Sequence, residues 1–334
     1  MPELRRDPIL GRWVILAPER AGRPTDFSTR VEPPEEGGLC PFCPGNERHT
    51  PHEILAYRPA GGRPGDDSWS VRVFPNRYPA LRVEGELDRE GHGIYDKMSG
   101  IGAHEVIVET RRHGARLGEL PPGEIAQLLA AWRDRMLDLR QDSRLRSILV
   151  FKNQGQAAGA TLEHSHSQLI ALPILPRQVM AEMAGARAYF DQKERCIFCD
   201  IVRQERKEGV RVAYENDGFV TLAPWAPRIP FETWLVPKAH ASGYEEEPPS
   251  RLAGLADALG ETLRRLDRAL DRPAFNLMLH TGPLNERSLA HYHWHIEIMP
   301  ILGRVGGFEW GSGFYINPTP PEEAAEFLRK SGAG

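Results

Sequence analysis

The stretch LEHSHSQLIALPILP (162–176) decides the fold, because the chain contains a second version of it, LAHYHWHIEIMPILG (289–303). In both, histidines recur at every second residue and an apolar run follows. Residues two apart in a β-strand face the same side of the sheet. Each stretch therefore predicts a strand with a row of histidines on one face, and the repetition predicts that the chain arose by duplication.

The flanking sequence supports the duplication. A shift of 127 residues (291 minus 164) places His164 on His291 and a proline pair on a proline pair. It also superposes two apolar patterns with the three-to-four spacing of a helix that has one buried face. These are Ile125, Leu128, Trp132, Met136 and Leu139 in the first half and Leu252, Leu255, Leu259, Leu263 and Leu266 in the second.

Strands outnumber helices in this pattern, so the sequence predicts an α+β fold of duplicated half-domains, with a mostly antiparallel sheet and flanking helices. We place the two domains at residues 1–175 and 176–334. The segment 174–196 between them is predicted to be a helix.

Composition narrows the class of protein. The 334 residues are 40% hydrophobic and 26% charged, with a formal charge of -4. This is typical of a globular protein and argues against nucleic acid as a partner. No stretch approaches the roughly 20 apolar residues of a membrane span, and the N-terminus lacks the apolar run of a signal peptide. We expect a cytoplasmic protein without a membrane partner.

All four cysteines lie in two CxxC pairs, and each half also supplies two histidines 51 residues apart. Zinc prefers four tetrahedral Cys and His ligands. The sequence therefore predicts two closed, structural zinc sites, with iron as the open alternative; a redox pair would not account for the histidines. The predicted ligands are Cys40, Cys43, His113 and His164 in the first half and Cys196, Cys199, His240 and His291 in the second.

The two halves differ beside the histidines. The first reads NQGQAAGATLEHSHSQ (153–168), where Gly155 and Gly159 allow main-chain amides to turn toward an anion. The second reads HTGPLNERSLAHYHWH (280–295), with proline and Glu286 in the loop. We therefore predict the active site in the first half, where a metal on His164 leaves His166 free as a nucleophile toward phosphorus.

Four other histidines are predicted to be structural, namely His104, His280, His293 and His295. The first has no histidine counterpart in the second half, where Phe231 stands, and the other three are predicted to be packed or hydrogen-bonded sheet residues rather than a second active site, because no glycine loop accompanies them.

The pattern NxGxxxGxxxxHxHxQ resembles the histidine triad superfamily, and specifically its nucleotidyltransferase branch, the galactose-1-phosphate uridylyltransferases. The resemblance covers the whole chain, including CPFCPGNE (40–47) and the tail around GGFEWGSGFYINP (306–318). It implies that each chain consists of two histidine-triad-like halves and binds two zinc ions. It also implies that two such chains form a homodimer that acts in galactose metabolism. It also implies ping-pong exchange between a nucleotide sugar and a hexose 1-phosphate, through a nucleotide held covalently on His166.

The same resemblance implies roles for further residues. Gln168 would hold a phosphoryl oxygen, and the tail loop would reach the partner's site in the dimer. The implied substrate-binding residues are Arg20, Arg23, Asn76, Asn153, Gly155, Gly159, Thr161, Phe308 and Glu309.

Two positions depart from the uridylyltransferase pattern. Ser165 stands where those enzymes have proline between the histidines, and Arg77 stands where they have aspartate. The HSHSQ sequence and the tail look more like the plant ADP-glucose phosphorylases. We expect exchange between UDP-glucose and galactose 1-phosphate, with adenylyl transfer to phosphate as the alternative and a non-catalytic, zinc-stapled nucleotide-binding scaffold as the second. Hydrolysis is disfavoured, since the amide of Gln168 cannot act as acid or base.

Overall fold

The computed structural model of the protein describes residues 3–16, 39–59 and 61–332. Its strands, in chain order, are β1 (Glu3–Arg6), β2 (Trp13–Leu16), β3 (Leu55–Tyr57), β4 (Val71–Pro75), β5 (Glu90–His92), β6 (Tyr95–Lys97), β7 (Ala103–Val108), β8 (Ser147–Gln154), β9 (His166–Leu172), β10 (Val212–Glu215), β11 (Phe219–Leu222), β12 (Thr233–Pro237), β13 (Phe275–His280), β14 (His295–Pro300) and β15 (Tyr315–Asn317). The α-helices are α1 (Pro122–Leu139), α2 (Arg177–Lys193), α3 (Ile197–Glu208), α4 (Leu252–Leu270), α5 (Gly307–Ser312) and α6 (Pro321–Lys330).

Ten of these strands form one antiparallel sheet that runs through both halves. Its order is β10-β11-β12-β14-β13-β8-β9-β7-β4-β3. Five neighbouring strands come from each half, and the halves meet where β8 pairs with β13, with Asn153 opposite Asn276. The fold is therefore α+β, as predicted, and the two related halves share a single sheet.

The main core lies between this sheet and helices α1 and α4, which contact each other. Both helices follow a proline pair, and proline suits the first turn of a helix because the missing N–H has no intrahelical acceptor there. All ten apolar positions predicted from the three-to-four spacing are buried. The helix predicted between the halves is also present as α2.

Two smaller elements complete the described chain. Strands β1, β2 and β15 form a three-stranded sheet that joins the two ends of the chain, and β5 and β6 form a separate hairpin. Among the helices of the described residues, none has the length and apolar character needed to cross a membrane.

Strand pairing shows that the repeat contains a gap. Phe151 pairs with Gln168 in the first half, and Met278 pairs with Glu297 in the second. The first members of these pairs are 127 residues apart (278 minus 151), but the second members are 129 apart (297 minus 168). The loop after β13 is thus two residues longer than the loop after β8, and the ungapped alignment fails beyond it.

Candidate active site

The first predicted metal cluster is assembled by the fold. The ligand atoms of Cys40, Cys43, His113 and His164 all lie within 4.8 Å of one another. The Sγ of Cys43 is 3.5 Å from Nδ1 of His113 and 3.6 Å from Nδ1 of His164. A tetrahedral ion bonded at about 2.3 Å to sulfur and about 2.0 Å to nitrogen would separate these atoms by about 3.6 Å. The four side chains therefore fit a tetrahedral metal, and they leave no ligand position open to a substrate.

The outer nitrogen of His164 is also engaged. Its Nε2 lies 2.8 Å from the main-chain oxygen of Thr110. Such a hydrogen bond fixes the tautomer and the ring orientation of a metal-binding histidine. It leaves Nδ1 unprotonated and directed at the two cysteines.

The second cluster corrects the sequence prediction at one ligand. It contains Cys196, Cys199, His240 and His293, whereas His291 is not a member. The Sγ of Cys199 is 3.4 Å from Nδ1 of His240 and 3.5 Å from Nδ1 of His293. The longer loop after β13 moves His293, two residues further along, into the place that the ungapped alignment gave to His291. The prediction that His293 only packs within the sheet is wrong for the same reason.

His166 begins strand β9 and is 8% exposed. Its Nδ1 lies 2.8 Å from the main-chain oxygen of His164, so this nitrogen carries the proton and Nε2 is left with a free lone pair. Burial, and then the positive charge of Lys152, lowers the pKa of His166 below its ordinary value. The neutral ring that results is the form in which an imidazole attacks phosphorus.

A buried ion pair supports the main chain at His166. Lys152 donates from Nζ to Oε2 of Glu109 at 2.7 Å, to Oγ of Ser165 at 3.0 Å and to the main-chain oxygen of His166 at 3.2 Å. Ser165 in turn donates to Oε2 of Glu109 at 2.6 Å. Ser165, one of the two residues that depart from the uridylyltransferase pattern, is thus a member of this network.

The glycine loop is held open beside His166 by residues of both halves. Gly155 and Gly159 have φ values of +84° and +90°, a conformation that favours glycine. The side-chain amide of Asn276 donates to Oδ1 of Asn153 at 2.8 Å and to the main-chain oxygen of Ala158 at 2.9 Å. Because its oxygen is occupied, Asn153 has its amide nitrogen, a hydrogen-bond donor, available toward the loop.

Comparisons with known proteins identify this arrangement. The family profile described as "Galactose-1-phosphate uridyl transferase, N-terminal domain" matches residues 1–176, and the corresponding C-terminal domain profile matches residues 182–323. The chain belongs to the galactose-1-phosphate uridyl transferase family. It is therefore an enzyme of a nucleotidyltransferase family.

Within this family, the chain is similar to proteins with two different names. An ADP-glucose phosphorylase from Arabidopsis thaliana is 37% identical over 98% of this chain and 93% of its own length. A galactose-1-phosphate uridylyltransferase from Thermotoga maritima is 30% identical over 99% of both. The crystal structure of the Arabidopsis phosphorylase with bound ADP-glucose superposes with a TM-score of 0.85 at 36% identity, covering 99% of this chain and 98% of that one.

The family's remaining implied residues fall into four groups. Asn76 and Gln168 lie together, with a separation of 3.4 Å between Nδ2 and Oε1. Thr161 is an exposed residue of the glycine loop. Phe308 is half-exposed on α5, where Glu309 accepts from the main-chain N–H of Gly306. Arg20 and Arg23 lie outside the described residues. Among the described residues, no hydrogen bond or ion pair joins α5 to His166.

Two residues that contact the predicted site residues were not themselves predicted to belong to the site. His104, predicted to be structural, lies against Gln168, with 2.9 Å between Nε2 and Oε1. Lys152 was not singled out, although a lysine in the otherwise mostly apolar strand SILVFKNQ is unusual unless it has a buried partner. The single charged residue of this strand was therefore the feature of the sequence that could have indicated a buried ion pair.

The corresponding place in the second half is filled by the protein itself. The rings of His280 and His295 stack with centroids 4.5 Å apart, and the Glu182 carboxylate from helix α2 contacts both. These three side chains form a third group whose atoms could hold a metal. The prediction that His280 and His295 are buried, hydrogen-bonded residues describes their geometry, but their acidic partner was not foreseen.

Proposed function

We propose that this protein transfers a nucleoside monophosphate from a nucleotide sugar to a phosphate-bearing acceptor, through a covalent intermediate on Nε2 of His166. The observation that carries the proposal is the position of that nitrogen. It is the unprotonated atom of a neutral, oriented imidazole, next to a glycine loop with donors for phosphate oxygens.

The reaction has two balanced steps. In the first, the lone pair of Nε2 attacks the α-phosphorus, an N–P bond forms, and the bond from that phosphorus to the sugar-phosphate oxygen breaks. In the second, an oxygen of the acceptor phosphate attacks the same phosphorus and the N–P bond breaks. The proton stays on Nδ1, which donates to the main-chain oxygen of His164 throughout, so no separate base is required.

We propose zinc for both Cys2His2 clusters, because two thiolates and two imidazoles in tetrahedral spacing are its preferred set. The first zinc ion would be bound by Cys40, Cys43, His113 and His164, and the second by Cys196, Cys199, His240 and His293. With four protein ligands each, the ions would stabilise the fold and orient the strand that carries His166.

The first candidate donor and acceptor are UDP-glucose and galactose 1-phosphate, which the family and the name of the Thermotoga relative support. The second candidate is transfer of an adenylyl group from ADP-glucose to phosphate. It is favoured by the 37% identity with the Arabidopsis phosphorylase, and by Ser165 and Arg77, which depart from the uridylyltransferase pattern.

The proposal also includes a homodimer in which the tail loop serves the partner's site. Phe308 and Trp310 are 50% and 77% exposed on α5, as an intersubunit segment would be in a single chain. Sedimentation of the purified protein should give the mass of a dimer, and a monomer at assay concentrations would contradict this part of the proposal.

The test of the reaction is to incubate the protein with UDP-glucose or ADP-glucose and no acceptor. We expect one nucleoside monophosphate to be added to the peptide that contains residues 163–168, through an acid-labile and base-stable bond. His166→Ala should form no adduct and keep both metals, because His164 is the ligand. An adduct on the His166→Ala protein, or on the peptide that contains His295, would contradict the proposal. The nucleotide sugar that forms the adduct at the higher rate, UDP-glucose or ADP-glucose, decides between the two candidate reactions.

A further inference from the structure

His104 has no part in the reaction described above, yet it lies directly beside Gln168, which the family resemblance implies holds a phosphoryl oxygen. It belongs to β7, which pairs with β9 so that Val106 faces Gln168 and His104 faces Ile170. His104 is therefore a diagonal neighbour of Gln168, within reach of a long side chain. The distance between its Nε2 and Oε1 of Gln168 is 2.9 Å.

The main chain determines which nitrogen of His104 carries the proton. The main-chain N–H of Ala80 donates to Nδ1 of His104, at 3.1 Å. A main-chain amide nitrogen can only donate, so Nδ1 must be the acceptor. In the neutral ring the proton is then on Nε2, the nitrogen that faces Gln168.

This tautomer in turn determines how the Gln168 amide is turned. A protonated Nε2 needs an acceptor, and the only acceptor in a glutamine amide is its oxygen. The Gln168 oxygen must therefore face His104, and its NH2 group must face the other way. This orientation follows from which atoms can donate and which can accept. It does not depend on telling the nitrogen and the oxygen of the Gln168 amide apart by their coordinates.

Asn76 reinforces the same orientation. Its Oδ1 accepts from the main-chain N–H of Tyr78 at 2.9 Å, which turns its Nδ2 toward Gln168 Oε1 at 3.4 Å. Asn76 Nδ2 is also 3.2 Å from Nε2 of His104. Since both of these nitrogens carry protons, the Gln168 oxygen is the acceptor that they share.

We infer that His104 is a positioning residue for the nucleotidyl transfer, which presents the amide N–H groups of Gln168 to the phosphoryl oxygens. The inference rests on the proposed function together with the implied role of Gln168, which is to hold a phosphoryl oxygen. A glutamine amide without such a partner adopts two orientations of similar energy. In one of them its oxygen would face, and repel, the negatively charged phosphoryl oxygens.

The second half shows the same position without this device. Strand pairing places Glu297 opposite Trp234, as it places Gln168 opposite Val106. Two residues before Trp234 stands Glu232, where the first half has His104. A carboxylate next to a carboxylate cannot present an N–H donor to a phosphate.

The first experiment is a double-mutant cycle on the rate at which His166 acquires the nucleotide in a single turnover. His104→Leu should lower this rate about tenfold and leave the donor concentration at half-saturation little changed, since the amide is kept but its orientation is then held only by the longer contact from Asn76. His104→Gln should recover most of the rate, because its own amide N–H can replace Nε2–H. His92→Leu, at an exposed hairpin histidine, is the control and should match the wild type.

The decisive arm of the cycle uses Gln168→Ala. In that background, His104→Leu should cause no further loss, because its effect passes through the amide that is already missing. If His104→Leu slows the Gln168→Ala protein by the same factor as it slows the wild type, or leaves the wild-type rate unchanged, the inference is wrong.

The second experiment does not depend on turnover. In protein labelled with ¹⁵N at its 12 histidines, the resonances of His104 are those absent from the His104→Leu protein. At pH 8 we expect the proton on Nε2 and a bare Nδ1. A proton on Nδ1 overturns the inference even if the enzyme is active. If the wild type forms no nucleotide adduct, the proposed function fails, while the tautomer still tests the hydrogen-bond chain.

Discussion

Removing one partner of the buried Lys152–Glu109 pair should strongly destabilise the protein, because the other charge is then left buried without compensation. The two side chains are 1% and 0% exposed, and Nζ is 2.7 Å from Oε2. The other carboxylate oxygen, Oε1 of Glu109, is buried without a hydrogen-bond partner among the described residues. Burial also lowers the pKa of Lys152, because removal from water disfavours the charged ammonium.

Lys152→Met removes the ammonium and leaves the carboxylate buried with only Ser165 as a donor. Breaking one side of a buried pair costs about 3–5 kcal/mol. The double variant Lys152→Met with Glu109→Gln removes both charges and keeps an acceptor for Ser165. It should recover all but about 1–2 kcal/mol, the remainder being the hydrogen bonds that Lys152 no longer makes.

The assay is urea denaturation of the metal-loaded protein followed by tryptophan fluorescence. Lys97→Met provides a matched control, because Lys97 lies 2.9 Å from Glu90 but both side chains are more than half exposed. Such a surface pair contributes little, so the control should barely move the midpoint. The reasoning fails if Lys97→Met and Lys152→Met cost the same, or if the double variant is as unstable as Lys152→Met alone.

Three further perturbations give distinct outcomes. His293→Ala should lower the metal content by one ion per chain while His291→Ala leaves it unchanged; metal analysis of the two proteins decides this, and the reverse result would restore the ungapped alignment. Burial raises the pKa of Glu232 to about 7, so this group stabilises the fold at low pH and that contribution is lost as pH rises toward 7. Glu232→Gln should therefore gain stability relative to the wild type between pH 5 and pH 8, by up to about 3 kcal/mol in urea titrations, and an equal difference at both pH values would count against a protonated Glu232. Gly185→Ala would place a Cβ 1.8 Å from the main-chain oxygen of Ile9, so we expect a loss of about 1–3 kcal/mol, and an unchanged urea midpoint would show that α2 is not packed so closely.

Features that depend on local pattern could be predicted from the sequence. The faces of α1 and α4 follow from apolar spacing, and the first metal cluster follows from CxxC and the histidine row. The α+β fold was predictable for the same reason, since each half repeats the same order of strands and helix. These features depend on periodicity within a segment and on residue type, which a sequence states directly.

The ligand of the second cluster could not be chosen in this way. His291, His293 and His295 share the same two-residue spacing, so alternation along the strand does not distinguish them. The choice depends on how far the loop after β13 extends before β14 begins. The length of a loop affects the register of every residue that follows it. The ends of the strands β9 and β14 both lead into a similar proline-containing sequence, and this similarity concealed the two-residue difference in loop length.

The residues that contact Gln168 and His295 could not be predicted from the sequence, for a different reason. His104 contacts Gln168 from a different strand, and Glu182 contacts His295 from the helix between the halves. Most of α2 faces solvent, so its sequence is typical of a surface helix, yet Glu182 is 4% exposed. Contacts of this kind arise from tertiary packing, and no spacing within one segment encodes them.

The geometry of the two histidine rows explains why only one of them is proposed as a nucleophile. His295 is oriented like His166, with Nδ1 toward the main-chain oxygen of His293, but its Nε2 lies 3.4 Å from the Glu182 carboxylate. A phosphate that approached this nitrogen would meet Glu182, and also Glu297 in the place of Gln168. The second half instead serves the first through Asn276, which holds the glycine loop from β13. Each half thus contributes a Cys2His2 cluster to the sheet, and the half without the glycine loop supplies the side chain of Asn276 that holds the loop of the other half.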